Sequence, residues 1–190
     1  SEHDVKEIFD IESNNLTPQI NNDDLGKIHD VKDSFRLHID EILNLKHVNP
    51  QKIRDKKFKI VVDGINSSGG IIIPMLLEIL NVEVIKINCV PDGNFAHDPE
   101  PLDKNLSELK KEVIVHNADL GIAVDPDVDR LVFVSEKGKT LGEENTLISC
   151  ADYILSKESG PAVSNLSSSM GLRDVCAKYN VEYFSSAVGE

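Results

Sequence analysis

No apolar run in these 190 residues approaches the length of a membrane span. The stretch "GGIIIPMLLEIL" is interrupted by Pro74 and Glu78, so no membrane partner is expected. Basic residues are scarce. Twenty lysines and arginines stand against 33 acids, and the net charge of −13 argues against a nucleic-acid-binding surface. Much of the excess is local, since residues 1–30 hold eight acids opposed only by Lys6 and Lys27. A phosphate-bearing substrate would be repelled by the chain as a whole, so its cationic contacts must be local or come from elsewhere. Cysteine is also sparse. Cys89, Cys150 and Cys176 are odd in number, far apart and set in apolar stretches. This suits reduced, buried thiols in a cytoplasmic protein better than a disulfide framework or a zinc site. The acidic opening "SEHDVKEIFDIE" lacks the continuous apolar core of a signal peptide. Low-complexity segments and short-period repeats are absent.

What the chain does contain is strands alternating with helices. Val5, Ile8 and Phe9 have helical spacing, and "SNNLTPQINNDD" reads as a polar loop. Residues 34–46 form a better helix, with Phe35, Ile39, Ile42 and Leu43 on one face and Asp33 or Ser34 as cap. From residue 58 the order is strand "FKIVVD", turn "GINSSGG", a helix over 71–80, strand "VEVIKIN" and the turn-rich loop "CVPDGNFAHDPEP". A helix capped by Asp103 and bearing Leu106, Leu109 and Val113 leads to strand "LGIAV". Strand "LVFVSEKGKTLG", turning at 136–139, and a helix over 143–157 follow. This grammar predicts a mixed, largely parallel sheet with helices on both faces. Beyond "SKESGP" a partial second α/β unit is expected: "AVSNL", a helix bearing Leu172, Val175, Cys176 and Tyr179, then "VEYFSS".

The chemistry concentrates in "GIAVDPDVDRLVFV", where Asp125, Asp127 and Asp129 separate two apolar strands. Unit charges about 4 Å apart repel by roughly 4 kcal/mol at an effective dielectric of about 20, so something must offset the cost. An EF-hand is excluded, because Arg130 occupies the position that needs glycine and the flanks are strands. A haloacid-dehalogenase-type phosphatase would use Asp125 as nucleophile and Asp127 as acid/base, yet the nearest downstream acidic pair, Glu143–Glu144, opens the very next helix. A divalent cation is the third reading. Alternate residues of an extended loop point the same way, Pro126 helps hold that extension, and hard oxygen ligands favour Mg²⁺. Arg130 beside the ion would contact phosphate. A solvated acidic turn on a non-catalytic acidic α/β module is the plain alternative.

"DPDVDR" resembles the metal-binding loop D-G-D-x-D-R of the α-D-phosphohexomutases, the superfamily of phosphoglucomutase, phosphomannomutase and phosphoglucosamine mutase. "KIVVDGINSSGG", "NCVPDGNFAHDPEP", "ADLGIAVDPDVDRLVFVSEKGKTLGEE" and "SNLSSSMGLRDVCAKYNVEYFSSAVGE" resemble further family segments in the same order, over roughly residues 50–190. The resemblance implies that residues 46–158 are the second of four domains, that 1–45 are the tail of the first with its linker, and that 159–190 begin the third. It implies that Asp125, Asp127 and Asp129 ligate Mg²⁺ and that Arg130 contacts a catalytic phosphoserine. The implied reaction interconverts hexose 1-phosphate and hexose 6-phosphate through a hexose bisphosphate, with the other domains of the same chain as partners. Pro126 departs from the family's glycine. The Ser-His-Asn-Pro nucleophile motif has no counterpart, since no Ser-His pair occurs, and the implied activity of this stretch alone is nil. The sugar-selecting and terminal phosphate-binding loops are missing too, which leaves the sugar open.

Three other features have plainer readings. "GINSSGG" lacks a P-loop's Gly-Lys-Ser/Thr ending, so Ser67 or Ser68 is expected to cap the following helix. His97 is expected to be an exposed loop histidine. Ser167 to Ser169 are expected to cap, and "VGE" at 188–190 is assigned no role.

Overall fold

The computed structural model describes residues 2–16, 21, 25–31 and 33–188. The chain divides into two units, Ser1–Ser34 and Phe35–Glu190. The first contains helix α1 (Glu2–Ser13). Much of the loop that follows, and Gly189 and Glu190 of "VGE", lie outside the described residues.

The second unit holds two sheets. Its first helix, α2 (Ser34–Leu43), buries Ile39 completely. A short helix that the sequence reading missed, α3 (Pro50–Arg54), follows at "NP". Asn49 caps it by accepting the Lys52 N–H at 2.9 Å, and Pro50 fits the first turn because its missing N–H would have had no partner there.

The main sheet combines β1 (Lys59–Asp63), β2 (Glu83–Ile87), β3 (Leu120–Val124) and β4 (Leu131–Ser135) in the order β2-β1-β3-β4. The first three are parallel and β4 is antiparallel to β3. Helix α4 (Gly69–Ile79) packs one face through Leu77 against Ile60, Val62, Ile122 and Val124. Helix α5 (Ser107–Val115) packs the other through Leu109 and Val113, against Val61, Ala123, Val132 and Val134. Each such fully buried side chain is worth about 1.5–3 kcal/mol. The expected largely parallel sheet with helices on both faces is what forms. Helices α4 and α5 end alike, on asparagines in the left-handed region (Asn81, Asn117), and the next N–H reaches back to Leu77 and Val113 respectively.

Helix α6 (Glu143–Leu155) lies beside β4, where the Thr146 hydroxyl donates to the Leu131 carbonyl at 3.1 Å. It also packs on α7 (Gly171–Tyr179), with Lys178 and Asp152 2.6 Å apart. Helix α7 covers a parallel pair, β5 (Ala162–Asn165) and β6 (Tyr183–Ser186). Leu172, Val175 and Cys176 are its buried face, as the sequence periodicity indicated.

Some local expectations need correction. Asp103 does not cap α5. It opens a 3₁₀ turn, Asp103–Asn105, and pairs with Lys110 at 2.6 Å, which lies one turn into the helix. Of the three free cysteines, Cys176 is buried and Cys89 partly so, but Cys150 is exposed because it falls on the outer side of α6. Among the described residues no helix is long and apolar enough to cross a membrane.

Candidate functional site

Strand β1 lies between β2 on one side and β3 on the other. The chain therefore turns opposite ways on leaving β1 and on entering β3, and the crevice between these strands, at their carboxyl ends, is where open α/β sheets bind ligands. Both strands deliver an aspartate there, Asp63 ending β1 and Asp125 following β3.

At the β3 end the backbone is not extended, contrary to the sequence reading. The Val128 N–H donates to the Asp125 carbonyl at 3.2 Å, closing a β-turn with Pro126 at its second position. There the fixed φ of proline is an advantage. Val128 sits at φ 63°, in the left-handed region that costs a β-branched residue on the order of 1–3 kcal/mol. The Arg130 N–H donates to Asp125 Oδ1 at 3.0 Å. Together these bring one carboxylate oxygen each of Asp125, Asp127 and Asp129 within 4.8 Å of one another. It is a folded turn, not strand alternation, that makes the three converge. Asp125 is 7% exposed, while Asp127 and Asp129 face solvent.

The turn is buttressed from α4. Ser67 and Ser68 do not cap that helix through their side chains; both hydroxyls donate to the Pro126 carbonyl, at 2.7 and 3.1 Å. Gly69 allows this approach, since a Cβ there would lie 2.4 Å from the Val124 side chain, while Gly70 lets the helix start pack on the Cys89 backbone, 2.7 Å from where its Cβ would stand. Ser67, Ser68 and Gly69 of "GINSSGG" thus serve the aspartate loop, while Gly64 and Gly70 let the turn pack closely on itself and on Cys89.

The donor set suits a hard cation. Ligand oxygens around an octahedral Mg²⁺ stand about 3.0 Å apart when adjacent and about 4.2 Å when opposite. Oxygens already within 4.8 Å need only small side-chain adjustments to reach those spacings. Arg130 stands beside the triad. Its Nη1 donates to Glu100 at 3.3 Å, and its Nε is 4.0 Å from Asp129. Glu143 foremost, then Glu100, raise its pKa still higher, so the guanidinium stays charged. A shallow depression lined by Asp129, Arg130, Glu143 and Thr146 opens next to it.

The second aspartate was overlooked in the sequence, and with it the role of His97. Asp63 is 1% exposed. It accepts from the Ile65 N–H at 3.1 Å, from Asn88 at 3.3 Å and from His97 Nε2 at 3.0 Å. His97 is therefore not an exposed loop residue; its side chain is 20% exposed. Burial opposes its charged form, but the Asp98 carbonyl, the Asp63 carboxylate and the field of Glu108 outweigh it, and the pKa is raised. The available signal was the parallel between "KIVVD" and "GIAVD", two apolar strands ending in aspartate.

At the head of α7, Ser169 accepts the Gly171 N–H at 3.2 Å, whereas Ser167 and Ser168 bond Asn165 instead. Only one of the three serines supports the helix start.

Residues 36–138 match the family model for phosphoglucomutase/phosphomannomutase, alpha/beta/alpha domain II. The chain belongs to this family. It is 34% identical over 170 residues to a "Probable phosphoglucosamine mutase" of Methanopyrus kandleri, covering 88% of this chain and 36% of the relative. A "Phosphoglucomutase/phosphomannomutase" of Thermococcus kodakarensis is 32% identical over 84% of this chain and 35% of its own length. The solved structure of a phosphoglucomutase/phosphomannomutase family protein from Burkholderia thailandensis shares the fold with a TM-score of 0.65 at 24% identity, over 80% of this chain and 33% of that one. The chain thus spans little more than a third of the length of these curated relatives. Sheet β2-β1-β3-β4 and the aspartate turn both lie within the part that matches domain II.

Proposed function

We propose that this chain contributes the metal-bearing domain of a phosphohexomutase that interconverts hexose 1-phosphate and hexose 6-phosphate. The carrying observation is the convergence of Asp125, Asp127 and Asp129 at the switch point of a domain II sheet. In this reading the three aspartates hold Mg²⁺. When bound, the ion supplies positive charge that offsets the charge of a phosphoryl group in transfer. Arg130 contributes the guanidinium that contacts the phosphoserine, and its fork of donors leaves groups free beyond the one given to Glu100. The acidic body of the chain makes such a local cation necessary for any phosphate to approach.

The three-part division belongs to the same proposal: 1–45 as the end of one domain, 46–158 as the metal-loop domain and 159–190 as the start of the next. The serine nucleophile and the sugar-selecting loop are then supplied by other domains of the same chain, acting in the cytoplasm on hexose phosphate and hexose bisphosphate. No Ser-His pair occurs here, so these 190 residues by themselves do not interconvert sugar phosphates.

The test is turnover by the full-length protein, assayed in both directions with hexose bisphosphate and Mg²⁺ present. Arg130→Ala should lower turnover by on the order of 10²-fold, the scale of losing a stabilising donor, with metal affinity nearly intact. Wild-type turnover in that variant would reduce Arg130 to a strand-edge charge. Phosphate release by this chain alone, abolished in Asp125→Asn, would replace the mutase reading with a phosphatase.

A further inference from the structure

Residues 88–101 form neither helix nor strand, yet they are fixed at three points, two through side chains that the proposed reaction leaves unused and the third through Arg130. Near the start, Asn66 donates to the Asn94 carbonyl at 2.8 Å and accepts the Val90 N–H at 3.2 Å. In the middle, His97 Nε2 lies 3.0 Å from Asp63 Oδ2 and Nδ1 lies 2.8 Å from the Asp98 carbonyl. A carboxylate and a carbonyl accept, so both contacts are hydrogen bonds when the ring carries both of its protons, the cationic form. Near the far end, Glu100 accepts from Arg130 Nη1 at 3.3 Å.

We infer that this segment is a positioning arm for Arg130: His97, clamped as a cation on the buried carboxylate of Asp63, fixes where Glu100 stands, and Glu100 orients the guanidinium beside the aspartate turn. The inference rests on the phosphate-contacting role proposed for Arg130. Two residues separate His97 from Glu100, and two further bonds stiffen that span. The Glu100 N–H donates to Asp98 at 3.3 Å, and Asn105 donates to the Glu100 carbonyl at 2.8 Å. Only one guanidinium nitrogen is engaged by Glu100. A long arginine left free would sample many rotamers, whereas one held at a single nitrogen keeps its direction and still offers other donors to a phosphate.

The clamp is sensitive to pH. The groups facing His97 are Asp63 from β1, Glu108 from α5 and the Asp98 carbonyl of its own segment, with Asn88 bridging the two carboxylates. All of them favour the charged ring. A neutral ring keeps one proton for two acceptors, so the clamp is tight at low pH and loosens as pH rises through the His97 titration.

Asp63, His97 and Glu100 are positioning residues, and the test reads Arg130 itself. Solvent exchange of its Nη–H protons, the group that bonds Glu100, is followed by NMR on ¹⁵N-arginine-labelled chain for wild type, Glu100→Ala, His97→Gln and the double variant. Glu100 is exposed, so its replacement leaves the fold intact. Each single variant should speed exchange by about fivefold, the scale of one net hydrogen bond, and the double variant no more than the larger single. Relative to Glu100→Ala, wild-type protection should fall as pH rises through the His97 titration, and His97→Gln should lack that dependence. In the full-length protein Glu100→Ala should lower kcat by about tenfold with KM little changed, as expected for lost orientation. Glu100→Asp should restore part of it. Unchanged Arg130 exchange in Glu100→Ala overturns the arm, as does wild-type kcat for that variant in an active full-length enzyme. Absence of mutase activity in the wild-type full-length protein would instead refute the proposed function, and the exchange comparison would still decide the arm.

Discussion

Asp63 and Asp125 stand at the carboxyl ends of neighbouring parallel strands, and they are the buried charged residues among those described. Their surroundings are opposite. Asp63 meets a donor that the chain itself supplies and that can carry positive charge, the His97 ring, with two further donors on its other oxygen. Asp125 meets one backbone N–H and two more carboxylates. A buried carboxylate is tolerated when paired and hydrogen-bonded. Asp63 satisfies that requirement within the fold, so its site is closed. The Asp125 cluster gathers like charge around an oxygen-rich point, which fits a cation from outside the chain.

The comparison breaks most visibly in stability. Asp63→Ala should cost about 2–3 kcal/mol in urea unfolding, because it removes the buried acceptor shared by the Ile65 N–H, Asn88 and His97. Asp125→Asn in Mg²⁺-free buffer should cost less than about 1 kcal/mol, since the amide oxygen still accepts the Arg130 N–H and one like charge is removed. Equal losses would erase the distinction between a closed and an open carboxylate site.

A smaller effect tests the turn. Ser67→Ala and Ser68→Ala together remove both donors to the Pro126 carbonyl and should cost about 1–2 kcal/mol. They should also weaken Mg²⁺ binding, because the turn loses its support. A loss of stability with unaltered Mg²⁺ affinity would show that the serines support α4 alone.

The smallest effect is titration of the clamp. The folded pKa of His97 is raised, so its stabilisation is full below the ordinary histidine value of about 6.5 and fades as pH rises through the raised one. Partial exposure of the ring keeps the effect modest. Unfolding measured from pH 6 upward should show a decline that His97→Gln lacks, and parallel profiles would remove the charged pair from the account.

The sequence made the architecture readable because its signals were strong and local. "KIVVD", "LGIAV" and "LVFVS" are apolar strands bounded by turn residues, and Leu109 and Val113 repeat at helical spacing. The aspartate loop was legible in composition but not in geometry. Alternation implied an extended ligand row, whereas Pro126 and the left-handed Val128 fold it into a turn. Nothing local in "GINSSGG" says that Ser67 and Ser68 reach a carbonyl 59 and 58 residues away. His97 looked exposed for the same reason, as its partner lies 34 residues earlier, at the end of β1. Long-range pairing of short polar side chains leaves little trace in a single sequence.

The claim at the centre is that Asp125, Asp127 and Asp129 form a divalent-cation site. Calorimetric titration of this chain with MgCl₂, beside Asp127→Asn, tests it directly, with thermal unfolding as a second reading. Wild type should bind Mg²⁺ and gain about 1.4 kcal/mol of stability at ten times its Kd, and Asp127→Asn should bind more weakly and gain less. Superimposable titrations of the two proteins would contradict the metal site and leave an acidic turn.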